Sequence, residues 1–233
     1  MQPDKTGDGS LTLHSERYGQ TFHSHHGAVS EAKHVFIENS GVGDRLRAGE
    51  PTRVLEVGFG TGLNCWLTAD LAVESGAALE LMSLEQDLLQ ADVVRELRYG
   101  EYLNNPELLE RYLTFRDSLP TQVPPGEWRV QLSDSVSLVL RIGRAEDPHL
   151  PEAWADAVYH DAFSPDANAE LWSEDFLAKL LVCLKPGGLL VTYSVKGDIR
   201  RRLQSLGFDV SKKPGPPGGK REMLVALKDG SGL

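Results

Sequence analysis

Cysteine is nearly missing: Cys65 and Cys183 are the only two in 233 residues, too few and too far apart for a disulfide framework. Both stand in apolar surroundings and read as buried free thiols, so the cytoplasm is the default address. No apolar run approaches the roughly 18 residues needed to cross a bilayer, which argues against a membrane helix. The opening MQPDKTGDGS lacks the apolar centre of a signal peptide and reads as a short disordered lead-in, residues 1–10. Basic residues are scarce overall, 24 Lys and Arg against 34 Asp and Glu, a formal net charge of −10. That total argues against a polyanionic partner, but the distribution argues the other way. Residues 179–228 hold eleven basic residues and three acids, a net of +8, whereas residues 1–178 hold thirteen and thirty, a net of −17. Phosphate contacts depend on local charge. The C-terminal stretch therefore fits either a solvated basic surface or a face that binds a polyanion.

What is present alternates. The apolar run Val54 to Val57 is too short for a helix and suits a buried parallel strand. Glycines 58, 60 and 62 follow it, and a helical pattern then runs to about Glu74. A second strand over Leu79–Asp87 ends in Glu85 and leads to a helix through about Leu97. PELLERYLTFRDSL is a further helix, and EWRVQLSDSVSLVLRIG reads as two strands around a Ser133-Asp134-Ser135 turn. WADAVYHDAF predicts a strand ending at Asp161. SEDFLAKLLVCLKPGG predicts an amphipathic helix stopped by Pro186 and two glycines. LLVTYS is a strand, KGDIRRRLQSLG a helix, and FDVSKK with KREMLVALK a closing antiparallel hairpin around PGPPGG. Such alternation implies a doubly wound α/β sheet with right-handed crossovers. No linker divides it: residues 11–50 are expected to form an N-terminal lid or small subdomain, and residues 51–233 the main domain.

EVGFGTG is a glycine-rich turn between strand and helix, where backbone can approach a ligand and the helix N-terminus offers unpaired N–H groups. Alone it also fits NAD or FAD. The spacing, however, is Gly-x-Gly-x-Gly rather than Gly-x-Gly-x-x-Gly. Glu56 precedes the turn, and Glu85 ends the next strand, where a carboxylate can accept both hydroxyls of a ribose. This set resembles the class I S-adenosylmethionine-dependent methyltransferases. The resemblance implies a Rossmann-like sheet, mostly parallel with a C-terminal antiparallel hairpin, and S-adenosyl-L-methionine as cofactor. It also implies a cofactor site of Glu56, Gly58, Gly60, Gly62, Asn64 and Glu85, with Glu56 supporting the methionine amine. The adenine-reading position falls at Gly143-Arg144-Ala145, where Arg144 replaces the usual acid; Glu146, Asp134 or the backbone at Arg144 and Ala145 would then serve.

YHDAFSPDANAELWS puts Asp161 at the carboxyl end of a strand, where open α/β sheets bind ligands. An acid there suits an amine acceptor, which arrives mostly protonated and attacks only through its lone pair. In order, YGQTFHSHHGAVSEAKHVFI, LEVGFGTGLN, YHDAFSPDANAELWS, LLVTYS, RRRLQSLGF and GGKREM resemble the methyltransferase module of the MnmC family. That module converts an aminomethyl group on the wobble 2-thiouridine of tRNA to methylaminomethyl. The resemblance implies Asp161 as the catalytic residue and tRNA, through its anticodon loop, as partner. It implies Tyr18, Ser24 and Glu31 on the substrate side, Phe163, Trp172 and Tyr193 as candidate walls for an extruded base, and no metal. Lys196, Arg200, Arg201, Arg202, Lys212, Lys213, Lys220 and Arg221 form the expected tRNA surface. Because no second glycine fingerprint follows, the chain is expected to resemble the stand-alone form, served by a separate enzyme that supplies aminomethyl-uridine. The family's Asn-Pro pair is Asn168-Ala169 here, which is expected to loosen the loop beyond Asp161.

Two alternatives stand beside this reading. Polyamine aminopropyltransferases share the fold but carry a second acid three residues after the catalytic one, where this chain has Ser164. A non-catalytic RNA-binding fold-mate would not need the glycine turn, Glu56 and Asp161 together. Four of the seven histidines, His23, His25, His26 and His34, fall in QTFHSHHGAVSEAKH. With no cysteine nearby and neighbouring side chains pointing apart, they read as neutral hydrogen-bonding groups of the lid rather than zinc ligands.

Overall fold

The computed structural model describes residues 2–144 and 149–230. In chain order, β1 (Asp4–Lys5) pairs with β2 (Leu11–Thr12), and β3 (His14–Ser15) pairs with β4 (Gln20–Thr21). Helix α1 (Ala28–Glu31) runs on as a π-helical stretch, Ala32–Glu38, and α2 (Val42–Arg47) follows. The central sheet then begins with β5 (Thr52–Val57), α3 (Leu63–Ser75), β6 (Leu79–Glu85), α4 (Ala91–Glu96), α5 (Glu107–Ser118), β7 (Gly126–Gln131) and β8 (Val136–Ile142). It is completed by β9 (Ala155–His160), α6 (Glu174–Cys183), β10 (Leu184–Thr192), α7 (Gly197–Ser205), β11 (Phe208–Pro214) and β12 (Glu222–Lys228).

The sheet order is β11-β12-β10-β9-β5-β6-β8-β7. Strands β10, β9, β5, β6 and β8 are parallel, β12 is antiparallel to both its neighbours, and β7 is an antiparallel edge. This is the mostly parallel sheet with a closing hairpin that the sequence predicts. Val54 and Leu55 point to opposite faces, and both faces are covered, so the strands are apolar on both sides. Chain order reverses at β5, which lies between β6 and β9. The crevice at the carboxyl ends of these strands is therefore the place for a ligand. Register fixes what faces that crevice: Val57 lies beside Leu84 and His160, and Glu85 beside Ile142.

Several boundaries differ from expectation. The lead-in is ordered over residues 2–10: β1 pairs with β2, Thr6 and Ser10 are buried, and Asp8 accepts bonds from the Ser30 amide and hydroxyl at the start of α1. Polar composition had hidden a network that caps a helix. Nor does the chain divide at residue 50. Ala28, Val35, Phe36, Val42 and Leu46 are buried in the same cluster as Trp66 and Tyr159, so α1 and α2 form a layer over α3 and only residues 11–27 remain of the expected lid. Helix α6 stops at Cys183, and Lys185 to Gly188 form an irregularity within β10 rather than a helix end.

Arg116 is a buried cation on α5 with no carboxylate ion-paired to it among the described residues: its guanidinium donates to the carbonyls of Leu89, Pro120 and Thr121 at 2.9, 3.2 and 3.1 Å. These bonds fasten two loops at the crevice. Arg116→Met should remove about 1 to 2 kcal/mol of stability, because the part-buried carbonyls of Leu89 and Pro120 lose this donor while that of Thr121 keeps the Gln90 amide; urea unfolding measures it.

Candidate active site

One cavity runs along the carboxyl edge of the sheet. Its walls include Gly58, Gly60 and Asn64 on one side, Glu85, Gln86 and Asp87 at one end, and Asp161, Phe163 and Tyr193 at the other. The turn after β5 takes positive φ at Gly58, Gly60 and Gly62 (88°, 53° and 77°), a backbone that side chains disfavour. Glu85 holds this turn from below the cavity end: one carboxylate oxygen accepts the Gly60 amide at 2.9 Å and the other accepts the amides of Gln86 and Asp87. A second cavity continues from Gln86 and Asp87 past Leu88, Thr121, Val123, Ile142, Gly143 and Arg144. The two cavities share Gln86 and Asp87 and so adjoin along the crevice, from the glycine turn past Glu85 to Arg144.

Asn64 stands where the first helix turn meets the acid: its amide donates to Asp161 at 2.8 Å, while its own carbonyl oxygen is buried without a partner. Glu56 is fully buried behind the wall rather than on it. It accepts the Ser83 hydroxyl, and its other oxygen has no partner. The unpartnered Asn64 carbonyl oxygen, on the cavity wall beside a glycine cradle, suits a donor-bearing cationic group such as the methionine amine of S-adenosylmethionine, whereas Glu56 backs that wall without meeting the cavity. The residues present therefore fit that cofactor.

Burial pushes Glu56 up to about 8 from 4.5. Below pH 4.5 the residue is protonated in folded and unfolded chains alike. Between 4.5 and 8 the unfolded chain gives up its proton and the folded protein keeps it, so this group's stability contribution falls as pH rises. Glu56→Gln should flatten the fall in urea midpoint across that window in the cofactor-free protein.

Asp161 is half-buried, and its amide donates to Val57 at 3.0 Å, locking it to the end of β5. Burial, reinforced by the nearby charge of Glu31, raises its carboxyl well above the ordinary range. Glu31 is raised by burial too and accepts the Ser24 amide at 3.1 Å. Tyr193 donates its hydroxyl to the Ala162 carbonyl, which sets its ring beside Asp161. Phe163 stacks on Tyr18 with centroids 4.3 Å apart.

The sequence does not reveal how the lid is fastened. Arg17 donates to Asp87 and Gln86 at one end, and Gln20 exchanges two bonds with Ser164 at the other. Asn168 donates to the Tyr18 hydroxyl. His23 is buried and held neutral by burial, its pKa lowered to about 4, between Thr12 and Thr61. His25 and His26 are exposed, and His34 reaches the Pro214 carbonyl.

Three expectations are corrected. Trp172 is core, not wall: it is 1% exposed, packs on His160 and donates to the Phe163 carbonyl at 2.8 Å, so it supports the loop from behind. Arg202 is tied to the Trp172 carbonyl and is a poor candidate for phosphate. Asp134 lies in the turn before β8, at the opposite end from the crevice. In the loop that carries Ala169, the Ala167 and Asn168 amides both donate to the Ser164 carbonyl. Arg144 borders the second cavity, while Ala145 and Glu146 lie outside the described residues. Lys196 pairs with Asp166 at 2.5 Å, Arg200 is half-buried, and Arg201 and Arg221 are exposed. Lys220 turns toward the cavity, over the Tyr193 ring.

Comparison with known proteins agrees with this geometry. A family model described as S-adenosyl-L-methionine-dependent methyltransferase matches residues 108–229. The bifunctional tRNA 5-methylaminomethyl-2-thiouridine biosynthesis protein MnmC of Cupriavidus metallidurans is 34% identical over 97% of the chain, and that of Aromatoleum aromaticum 37% over 94%. The chain spans about a third of the length of these relatives, 33% and 34%. The crystal structure of MNMC2 from Aquifex aeolicus superposes with a TM-score of 0.78 at 30% identity, covering 100% of this chain and 71% of that one.

Proposed function

Because the chain belongs to the MnmC-related family of S-adenosyl-L-methionine-dependent methyltransferases, we propose that it methylates a primary amine on a tRNA wobble uridine. The reaction would take 5-aminomethyl-2-thiouridine to 5-methylaminomethyl-2-thiouridine. The observation that carries this reading is the Asp161 carboxylate, withdrawn from water on the cavity wall beside the glycine turn and facing Glu31 and Tyr193. S-adenosyl-L-methionine supplies an electrophilic methyl group when bound. Gly58, Gly60, Asn64 and Glu85 would hold it, and the second cavity would take its adenine past Arg144.

Asp161 has two tasks. In its ionised form it attracts an ammonium into the cavity, and because burial raises its proton affinity it is a stronger acceptor for that ammonium's proton than an exposed carboxylate would be. Asn64 keeps one carboxylate oxygen aimed, and Tyr193 and Phe163 hold the acceptor so that proximity supplies much of the rate. The lid, fastened at both ends, keeps water out. Ser164 bonds Gln20 where an aminopropyltransferase would carry a second acid, which favours methyl transfer over the polyamine alternative.

The deciding assay supplies labelled S-adenosylmethionine with tRNA carrying aminomethyl-2-thiouridine, and in parallel decarboxylated donor with putrescine. Label is expected in the wobble nucleoside. Label only on the polyamine, or on neither, sinks the proposal. Arg201 and Arg221 are solvent-exposed members of the basic face. Replacing both by Ala should lower the slope of log binding against log salt by about 1.4 to 1.8, one phosphate contact each. Binding of S-adenosylhomocysteine should not change.

A further inference from the structure

Lys220 sits at the end of the turn between β11 and β12, and its backbone surroundings are fixed. The Gly215 amide donates to the Arg221 carbonyl at 2.9 Å, Pro216 is buried, and His34 bonds the Pro214 carbonyl at 2.9 Å. From this anchored turn the side chain, exposed along its length, lays its tip over the cavity's rim. Its ammonium lies 4.2 Å from the centroid of the Tyr193 ring, and that ring belongs to the Asp161 cavity. Its charge is felt by both Glu31 and Asp161. Among the described residues no carboxylate forms a direct ion pair with it, unlike Lys196 and Lys212, which hold Asp166 and Glu222.

An aromatic face with two carboxylates nearby is a receptor for an alkylammonium. A lysine tip is itself a primary alkylammonium, the same chemical class as the proposed acceptor. We propose that Lys220 is an internal stand-in for the substrate, occupying the acceptor-amine site formed by Tyr193, Glu31 and Asp161 until an incoming primary amine displaces it. This rests on the reading of Asp161 as the acceptor-side acid. The occupant is poised to leave: it is held by a cation–π contact and unpaired charges, and desolvation there lowers its own proton affinity. Once displaced, it swings out to the basic face, where Arg221 is already exposed. Small amines then compete with the stand-in unaided, while an acceptor attached to a polyanion gains phosphate contacts as the lysine leaves. The latch therefore selects against free amines.

The test uses the whole chain and no RNA. n-Butylammonium chloride is titrated in at constant ionic strength, and the Tyr193 ring and Ala162 amide are followed by NMR. If the latch is closed about nine-tenths of the time, Lys220→Met should bind the probe about tenfold more tightly than the native protein. Lys220→Arg, which keeps a cation of similar reach, should stay near the native value. A Lys220→Met affinity within about twofold of native, weaker than native, or shifts that bypass Tyr193 would each overturn the inference. Because no tRNA is present, failure of the tRNA assay leaves this result standing. Conversely, a protein that methylates tRNA but shows no butylammonium shift loses the stand-in alone.

Discussion

Replacing Asp161 with Ala is expected to slow methyl transfer by about a thousandfold or more, while leaving S-adenosylhomocysteine affinity within about threefold of native. The two effects separate because Asp161 is joined to the cofactor side by its backbone and to the acceptor side by its carboxylate. Its amide bond to Val57 survives the substitution, so the end of β5 and the glycine turn stay in place. What disappears is the group proposed to draw in an ammonium and accept its proton. Asn64 also loses the acceptor for its amide. Asp161→Asn addresses that secondary loss, since an amide oxygen still receives the Asn64 bond but takes no proton. If positioning by Asn64 were the whole role, Asp161→Asn would retain most activity. Single-turnover rates with calorimetric binding distinguish these outcomes, and an Asp161→Ala protein of native rate would end the assigned role.

The acids on the crevice were readable because strand ends are readable. An apolar run followed by Gly-x-Gly-x-Gly fixes where β5 stops, and Glu85 and Asp161 each follow a run of strand-forming residues. Parallel pairing then brings all three to one edge without any knowledge of side-chain contacts. The aromatic walls were less readable. Trp172 and Phe163 are close in sequence and alike in chemistry, yet one is buried behind the loop and the other faces the cavity. Residue type does not encode that choice; it depends on which side of the loop meets His160. The lid contacts were unreadable for a different reason. Arg17 reaches Asp87 across 70 positions and Gln20 reaches Ser164 across 144, and such pairs follow only from the path of the N-terminal segment over the finished sheet. Lys220 shows the same limit: composition assigned it to the basic face, and three-dimensional reach turns it toward the acids.

Gly58→Ala is expected to damage both halves of the site at once, lowering stability by about 2 to 4 kcal/mol and cofactor affinity by about a hundredfold. Two penalties combine. The backbone at Gly58 has φ of 88°, which costs an L-residue about 1 kcal/mol or more. An added Cβ would also lie 2.8 Å from the Asp161 carbonyl oxygen and 3.3 Å from its carbon. Those are backbone atoms and cannot rotate away. On the other side the Gly58 amide is tied to the Leu84 carbonyl at 3.0 Å, so retreat of the turn would break its link to β6. Either the glycine turn shifts or the strand end carrying Asp161 is pushed out, and methyl transfer falls in both cases. Gly76→Ala isolates the first penalty, because Gly76 has φ of 67° with nothing within 4 Å of the added carbon. That control should lose about 1 kcal/mol and keep native cofactor binding. Thermal melts and S-adenosylhomocysteine calorimetry on the two variants decide the matter: equal losses would mean that backbone strain alone governs Gly58. A larger loss confined to Gly58 would mean that the close approach of turn and acid sets the distance between methyl donor and acceptor.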